Sequence, residues 1–284
     1  MKKISLAHSP DADDIFMYAA IKYGWISSDF KYENDAKDIQ SLNQDAINNI
    51  YDVCAISFAL YPKIASEYAL LRTATSFGNG YGPKLICLKN KQLKENFSVA
   101  LSGEHTTNAL LFRLAYPKAK IVYMNFLDIE NAVLEQKVDA GVLIHESILN
   151  YDESLEVKKE IWDIWCEYCL KYEKEILPLP LGGMAIRRSL VLLDAIKIEK
   201  ELMQAVKVAT QNKKSLSAIL LSKNEVRVNE KDLEKYLSLY ANDDSICLND
   251  KQKRALDLLF KLANSNVKCE ENLLPLEYEE LRNS

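Results

Sequence analysis

The chain has 284 residues, 48% hydrophobic and 27% charged, enough apolar matter for one large core or two smaller ones. Its 36 basic and 41 acidic residues leave a formal net charge of −5 without a long basic run, which argues against a nucleic-acid partner and against an anionic membrane surface. No apolar stretch reaches the ~20 residues that cross a bilayer. Behind Met1-Lys2-Lys3, the residues His8, Asp11, Asp13 and Asp14 interrupt any secretory signal, so a cytoplasmic protein is expected.

The predicted elements alternate between strand and helix. Ile4–Ala7 reads as a strand. It runs into Ser9-Pro10-Asp11-Ala12-Asp13-Asp14 and a helix with Ile15, Phe16, Tyr18, Ala19 and Ile21 as its apolar residues; Asp11, Asp13 and Asp14 suit the positive end of its dipole. Ile39–Ile50 is a helix by its apolar spacing, and Asp52–Ser57 a strand ending in a hydroxyl. Phe58–Tyr68 reads as a helix that tolerates Pro62 only in its first turn. Gly78–Pro83 is a glycine-rich turn, with the wrong spacing for a phosphate loop, before the strand Lys84–Leu88. A second unit starts near Phe97. It contains a strand to Leu101, a loop ending in Thr106-Thr107, a helix over Asn108–Tyr116, a strand over Lys120–Met124, a helix over Ile129–Glu135 and a strand over Val142–Ile144. This alternation implies an α/β fold on a largely parallel sheet. Leu177–Met184 reads as a crossover back to the first unit, and helices with charged faces follow from about Glu201.

The six cysteines are expected to be thiols in a reducing compartment. Cys166 and Cys169 have the spacing of half a zinc site. No second pair or nearby histidine completes a shell, and both fit one amphipathic helix over Glu160–Leu170. Cys54 and Cys87 read as small core residues of strands.

His145 stands out. The run Gly141-Val142-Leu143-Ile144-His145-Glu146 ends a buried strand in an imidazole, and open α/β sheets bind ligands outside the carboxyl ends of their strands. A histidine there can exchange protons near neutral pH; a structural hydrogen bond to a neighbouring loop is the alternative. Thr106 and Thr107 open a helix, where N–H groups and hydroxyls suit an anion or oxygen, or simply cap. Ser57 can serve the same ligand or cap the next helix, and the aspartates after Ser9 can touch hydroxyls or remain solvated. Glu146 neighbours His145 and is expected to face the other way, toward a loop cation.

In this order, Ser9-Pro10 with its acidic residues, Ser57, Gly82-Pro83, Gly103-Glu104-His105-Thr106-Thr107, the His145-Glu146 strand end and Leu179-Pro180-Leu181-Gly182-Gly183 resemble the menaquinone-biosynthesis enzymes of the futalosine route, in particular the 1,4-dihydroxy-6-naphthoate synthase family. The likeness covers about the first two-thirds of the chain. It departs at Ser9-Pro10-Asp11-Ala12-Asp13-Asp14, where the family often has Cys-Pro-Asn-Asp, and at Asn108, where alanine is frequent. The resemblance implies a two-lobed fold like the type II periplasmic binding proteins with a ligand cleft between lobes. Residues 1–97 would begin the first lobe, 98–180 form the second, and 181–284 return to the first and add the C-terminal helices. It implies a carbon–carbon lyase that splits cyclic dehypoxanthinyl futalosine to 1,4-dihydroxy-6-naphthoate and a sugar-derived fragment without metal or redox cofactor. His145 would be the general base, with Ser9, Asp14, Ala55, Ile56, Ser57, Thr106, Thr107 and Asn108 around the small-molecule substrate. Two alternatives share the fold: a chorismate dehydratase of the same route and a non-enzymatic solute-binding protein. The oligomeric state is not legible.

Overall fold

The computed structural model describes residues 1–275, so the third expected segment is followed as far as Pro275 and its remainder lies outside the described residues. Two sheets, each with helices packed on it, form two lobes. The first contains β1 (Lys2–His8), β2 (Phe30–Ala36), β3 (Val53–Ser57), β4 (Tyr68–Leu70) and β5 (Ser76–Gly78). The second contains β6 (Lys84–Leu88), β7 (Ser98–Leu101), β8 (Lys120–Tyr123), β9 (Ala140–Leu143) and β10 (Leu155–Glu160). A long strand, β11 (Leu179–Arg187), returns the chain to the first sheet. The orders are β2-β1-β3-β11-β4, with β5 also on β11, and β10-β6-β9-β7-β8.

Both sheets are mixed rather than largely parallel. β1 runs parallel to β2 and β3, and β7 to β8 and β9, but β11 is antiparallel to its neighbours, as β6 is to β9 and β10. The reason is connectivity: β11 comes back from the second lobe and enters the first sheet against the direction of β3. Leu177–Met184, expected as a crossover alone, therefore becomes largely a buried strand. β6 lies before Phe97 yet pairs in the second sheet, so the chain crosses through residues 79–83, earlier than expected.

The helices are α1 (Ala12–Lys22), α2 (Ile39–Ile47), α3 (Tyr61–Ile64), α4 (Thr107–Ala115), α5 (Ile129–Leu134), α6 (Ile161–Tyr172), α7 (Leu192–Gln211), α8 (Lys213–Ser222), α9 (Glu230–Tyr240) and α10 (Asp250–Leu262). Three differ from expectation, among them α7, which begins at Leu192 rather than near Glu201. α2 stops at Ile47 because Asn48 caps it and Asn49 turns left-handed at φ 57°, which asparagine tolerates. Phe58–Tyr68 is a short 3-10 turn, the single turn α3 with Pro62 at its start, and then the beginning of β4. α6 carries Cys166 and Cys169 on a structural helix, and all six cysteines are free thiols. Among the described residues no helix is long and apolar enough to cross a membrane.

Candidate active site in the interlobe cleft

The parallel strands β1, β3, β7 and β9 deliver their carboxyl ends to one cavity, where Ser9, Ser57, Ser102 and His145 follow or end them. The cavity holds about 720 Å³ of empty space, part of it open to solvent. Ser9, Asp14, Ala55, Ile56, Ser57, Thr106, Thr107, Asn108 and His145, singled out from the sequence, all line it. Ile39, Ile56, Pro83, Ile144 and Leu181 supply apolar walls.

β9 can reach the cleft because Gly141 lets α5 lie against it: a Cβ there would come within 2.5 Å of Ile129 Cγ2. His145 then leaves the strand with a left-handed φ of 54°, which turns its ring out of the strand's alternation. Its Nδ1 lies 3.0 Å from Asp11 Oδ2, and its ring stands edge-on to Phe126 at 5.0 Å. Nε2 is buried without a hydrogen-bond partner among the described residues. Burial pushes the imidazole pKa down, but the charge and hydrogen bond of Asp11, helped by Glu146, outweigh it and raise the value to about 9. Asp11 is opposed by burial as well; His145, Ser9 and Arg227 hold its carboxyl below the ordinary value.

Ser9 is part of this arrangement rather than a free hydroxyl. Its Oγ donates to Asp11 Oδ2 at 2.7 Å, and its N–H donates to Asp14 Oδ2 at 2.9 Å. Asp14 is raised by burial despite that bond. The two threonine hydroxyls are also occupied. Thr106 donates to Gly103 O at 2.9 Å and accepts from Ala109 N, capping α4. Thr107 ties α4 to the other lobe, donating to Leu181 O at 3.2 Å and accepting from Ala59 N at 3.3 Å. What α4 leaves for a ligand are first-turn N–H groups, which helix geometry leaves unbonded, and the Asn108 amide. Ser57 accepts from Asn43 Nδ2 at 3.1 Å and keeps its own proton available. Ser102 Oγ is buried and unpartnered among the described residues.

Sequence reasoning missed three contributors. Arg227, between α8 and α9, pairs with Asp11 and lies 3.4 Å from Glu146 Oε2, so Glu146 does meet a loop cation. Glu146 Oε1 also accepts from Ala12 N at 2.9 Å, joining the lobes at the start of α1. Tyr236 and Tyr240 of α9 close one side of the cavity, and Tyr236 donates to Asp13 Oδ1 at 3.2 Å. The signal was the stripe Leu233, Tyr236, Leu237, Tyr240, but nothing local tells that it covers a cleft rather than ordinary core.

Comparison with known proteins agrees with this architecture. The sequence profile described as menaquinone biosynthesis matches residues 4–265. The chain belongs to the menaquinone biosynthesis family. A 1,4-dihydroxy-6-naphthoate synthase of Thermus thermophilus is 30% identical over 190 residues, 67% of this chain and 68% of that protein. A crystal structure of a protein from Archaeoglobus fulgidus superimposes with a TM-score of 0.83 at 31% identity, covering 92% of this chain and 97% of the other. The periplasmic aliphatic sulphonate-binding protein of Escherichia coli shares the fold, with a TM-score of 0.62 at 11% identity over 97% of this chain and 92% of its own. This family member therefore has the two-lobed periplasmic-binding-protein architecture, with a histidine–aspartate pair in its cleft.

Proposed function

We propose that the protein is a lyase that converts cyclic dehypoxanthinyl futalosine to 1,4-dihydroxy-6-naphthoate, with His145 as general base. The observation that carries this reading is the Asp11–His145 pair beside an apolar-walled cavity at the lobe junction. The names of relatives at about 30% identity, such as the Thermus thermophilus synthase, point the same way. Removing a proton next to a carbonyl and expelling an oxygenated fragment needs a base with correct geometry and tautomer. Asp11 accepts from Nδ1–H, which leaves Nε2 as the nitrogen that can take a proton. Developing oxyanion charge meets the first-turn N–H groups of α4 and the Asn108 amide. The apolar walls suit a naphthalene ring. No lysine or arginine is among the described residues lining the cavity, which disfavours the dicarboxylate required of a chorismate dehydratase.

The experiment is turnover of cyclic dehypoxanthinyl futalosine by the purified protein, followed by the naphthoate chromophore. The expected result is product from the wild type and a fall of about 100-fold or more in kcat for a folded His145→Gln variant. Full turnover by that variant would falsify the base assignment. Absence of product with the wild type would redirect the search to chorismate and then to ligand binding without chemistry.

A further inference from the structure

We propose that Asp13, held by Tyr236 in the same cavity, is the acid that protonates the departing oxygen while His145 takes a proton from carbon. This rests on the lyase reading above and extends it to a residue that neither the sequence nor the comparisons give a catalytic role. Asp13 is only 5% exposed, and it lines the cavity. An acid in the first turn of a helix ordinarily faces water, where the dipole favours its charge. Here Glu146 binds the N–H of Ala12, and the start of α1 is held at the lobe junction.

The charge balance around Asp13 distinguishes it from its neighbours. Asp11 and Glu146 share the two nearby cations, His145 and Arg227. Asp14 has the Ser9 N–H. Among the described residues Asp13 has no salt-bridge partner, and its carboxyl accepts one hydrogen bond, from the Tyr236 hydroxyl. The titratable or charged groups around it are Asp11 and Asp14 on its own helix, His145 and Glu146 after β9, Arg227 before α9, and Tyr236 and Tyr240 on α9. Burial, then Asp14 and Asp11, push the Asp13 carboxyl well above the usual range, against a smaller opposing effect of His145. Burial likewise raises the Tyr236 phenol, which keeps it neutral. One cleft thus holds an ionised carboxylate that orients a base and a neutral carboxylic acid that can give a proton, separated by environment alone.

The step balances as follows. Neutral His145 takes a proton from the carbon beside a carbonyl, and that C–H pair becomes the new C=C bond. A C–O bond β to that carbonyl breaks with its electron pair on oxygen, and the Asp13 carboxyl supplies the proton that makes it a hydroxyl; this elimination precedes the carbon–carbon cleavage that frees the sugar-derived fragment. His145 ends protonated and Asp13 ionised; return of one proton from imidazolium to carboxylate, through solvent, restores both. No other reactant is required.

The test compares wild type, Asp13→Asn, Tyr236→Phe and His145→Gln for naphthoate formation, thermal midpoint and infrared absorption at neutral pH. Asparagine keeps the shape and accepts from Tyr236, but has no acidic proton. The expected result for Asp13→Asn is kcat lower by about 100-fold or more with KM unchanged. Its thermal midpoint should be no lower than that of the wild type, since a neutral group replaces a costly buried acid. The ligand-free wild type should show a protonated-carboxyl stretching band that Asp13→Asn lacks. A structural role would instead lower the midpoint and spare kcat. Wild-type kcat in Asp13→Asn, or an unchanged band, overturns the inference. If Asp13→Asn does not fold, Tyr236→Phe decides. It removes a donor that favours the ionised carboxyl, so the alkaline limb of kcat should move to higher pH, and a limb that stays or falls overturns the inference. Activity surviving in Asp13→Asn but lost in His145→Gln sinks the acid alone; no naphthoate from wild type sinks both readings.

Discussion

At the scale of residues, the sequence pointed to His145 by its place at a strand end, and the structure adds what sets its chemistry. Asp11 looked like a helix-cap aspartate, and it is the N-cap of α1, but its side chain caps nothing. It binds His145, Ser9 and Arg227 instead. That partnership was hidden because Asp11 and His145 are far apart in the chain and meet only when the lobes do. With Asp11→Asn, burial becomes the dominant influence on the imidazole. The His145 titration, followed by NMR, should fall from about 9 to below the ordinary value of about 6.5. Gly183 packs closely against Phe58: a Cβ there would lie 2.5 Å from the ring. Gly183→Ala should therefore destabilise the protein by roughly 1–3 kcal/mol in denaturant unfolding, through overpacking against that ring.

At the scale of elements, legibility followed periodicity. α9 falls in the stretch read as helices with charged faces, and β6 was read from its apolar run, because in both the local pattern agrees with the burial imposed by the fold. β2, β4, β5 and β10 were not called. β2 lies at a sheet edge and buries only Phe30, and β4 and β5 have three residues each, too few to show a period. β11 contains Pro180 and two glycines, which disguise a strand; its direction depends on the chain having visited the other lobe. Glu146 is one of the residues that join the lobes. Glu146→Ala removes the acceptor of Ala12 N–H and a partner of Arg227. A buried hydrogen bond to a charged group contributes about 1.5–3 kcal/mol, so the variant should raise KM by roughly tenfold or more. The check is Michaelis kinetics beside a thermal melt; an unchanged KM would show that the junction is held elsewhere.

At the scale of the molecule, two α/β lobes bring four strand ends onto one cavity; the alternation of strands and helices was legible as the α/β class, while the two lobes and the cleft followed from the family resemblance. The C-terminal region was not, since its contribution of Arg227, Tyr236 and Tyr240 is set by where the helices dock rather than by any motif. The buried proton-binding groups also make stability depend on pH. His145 has a folded value of about 9 against about 6.5 when unfolded. The folded chain therefore binds the extra proton between those values, and the stability it contributes is complete below about 6.5 and lost as pH rises through 9. Asp13, raised in the folded state, acts in the same direction. The thermal midpoint should fall from pH 6.5 to pH 9, with a shallower slope in His145→Gln.

In the reaction proposed above, His145, paired with Asp11, removes the proton that starts naphthoate formation. The most direct measurement is kcat/KM for cyclic dehypoxanthinyl futalosine as a function of pH, since that ratio reports the ionisation of the free enzyme. The rate should climb from neutral pH along an ascending limb bending near 9, and this limb should be missing in His145→Gln. An ascending limb near 6.5, or one that persists in His145→Gln, would contradict that role of His145.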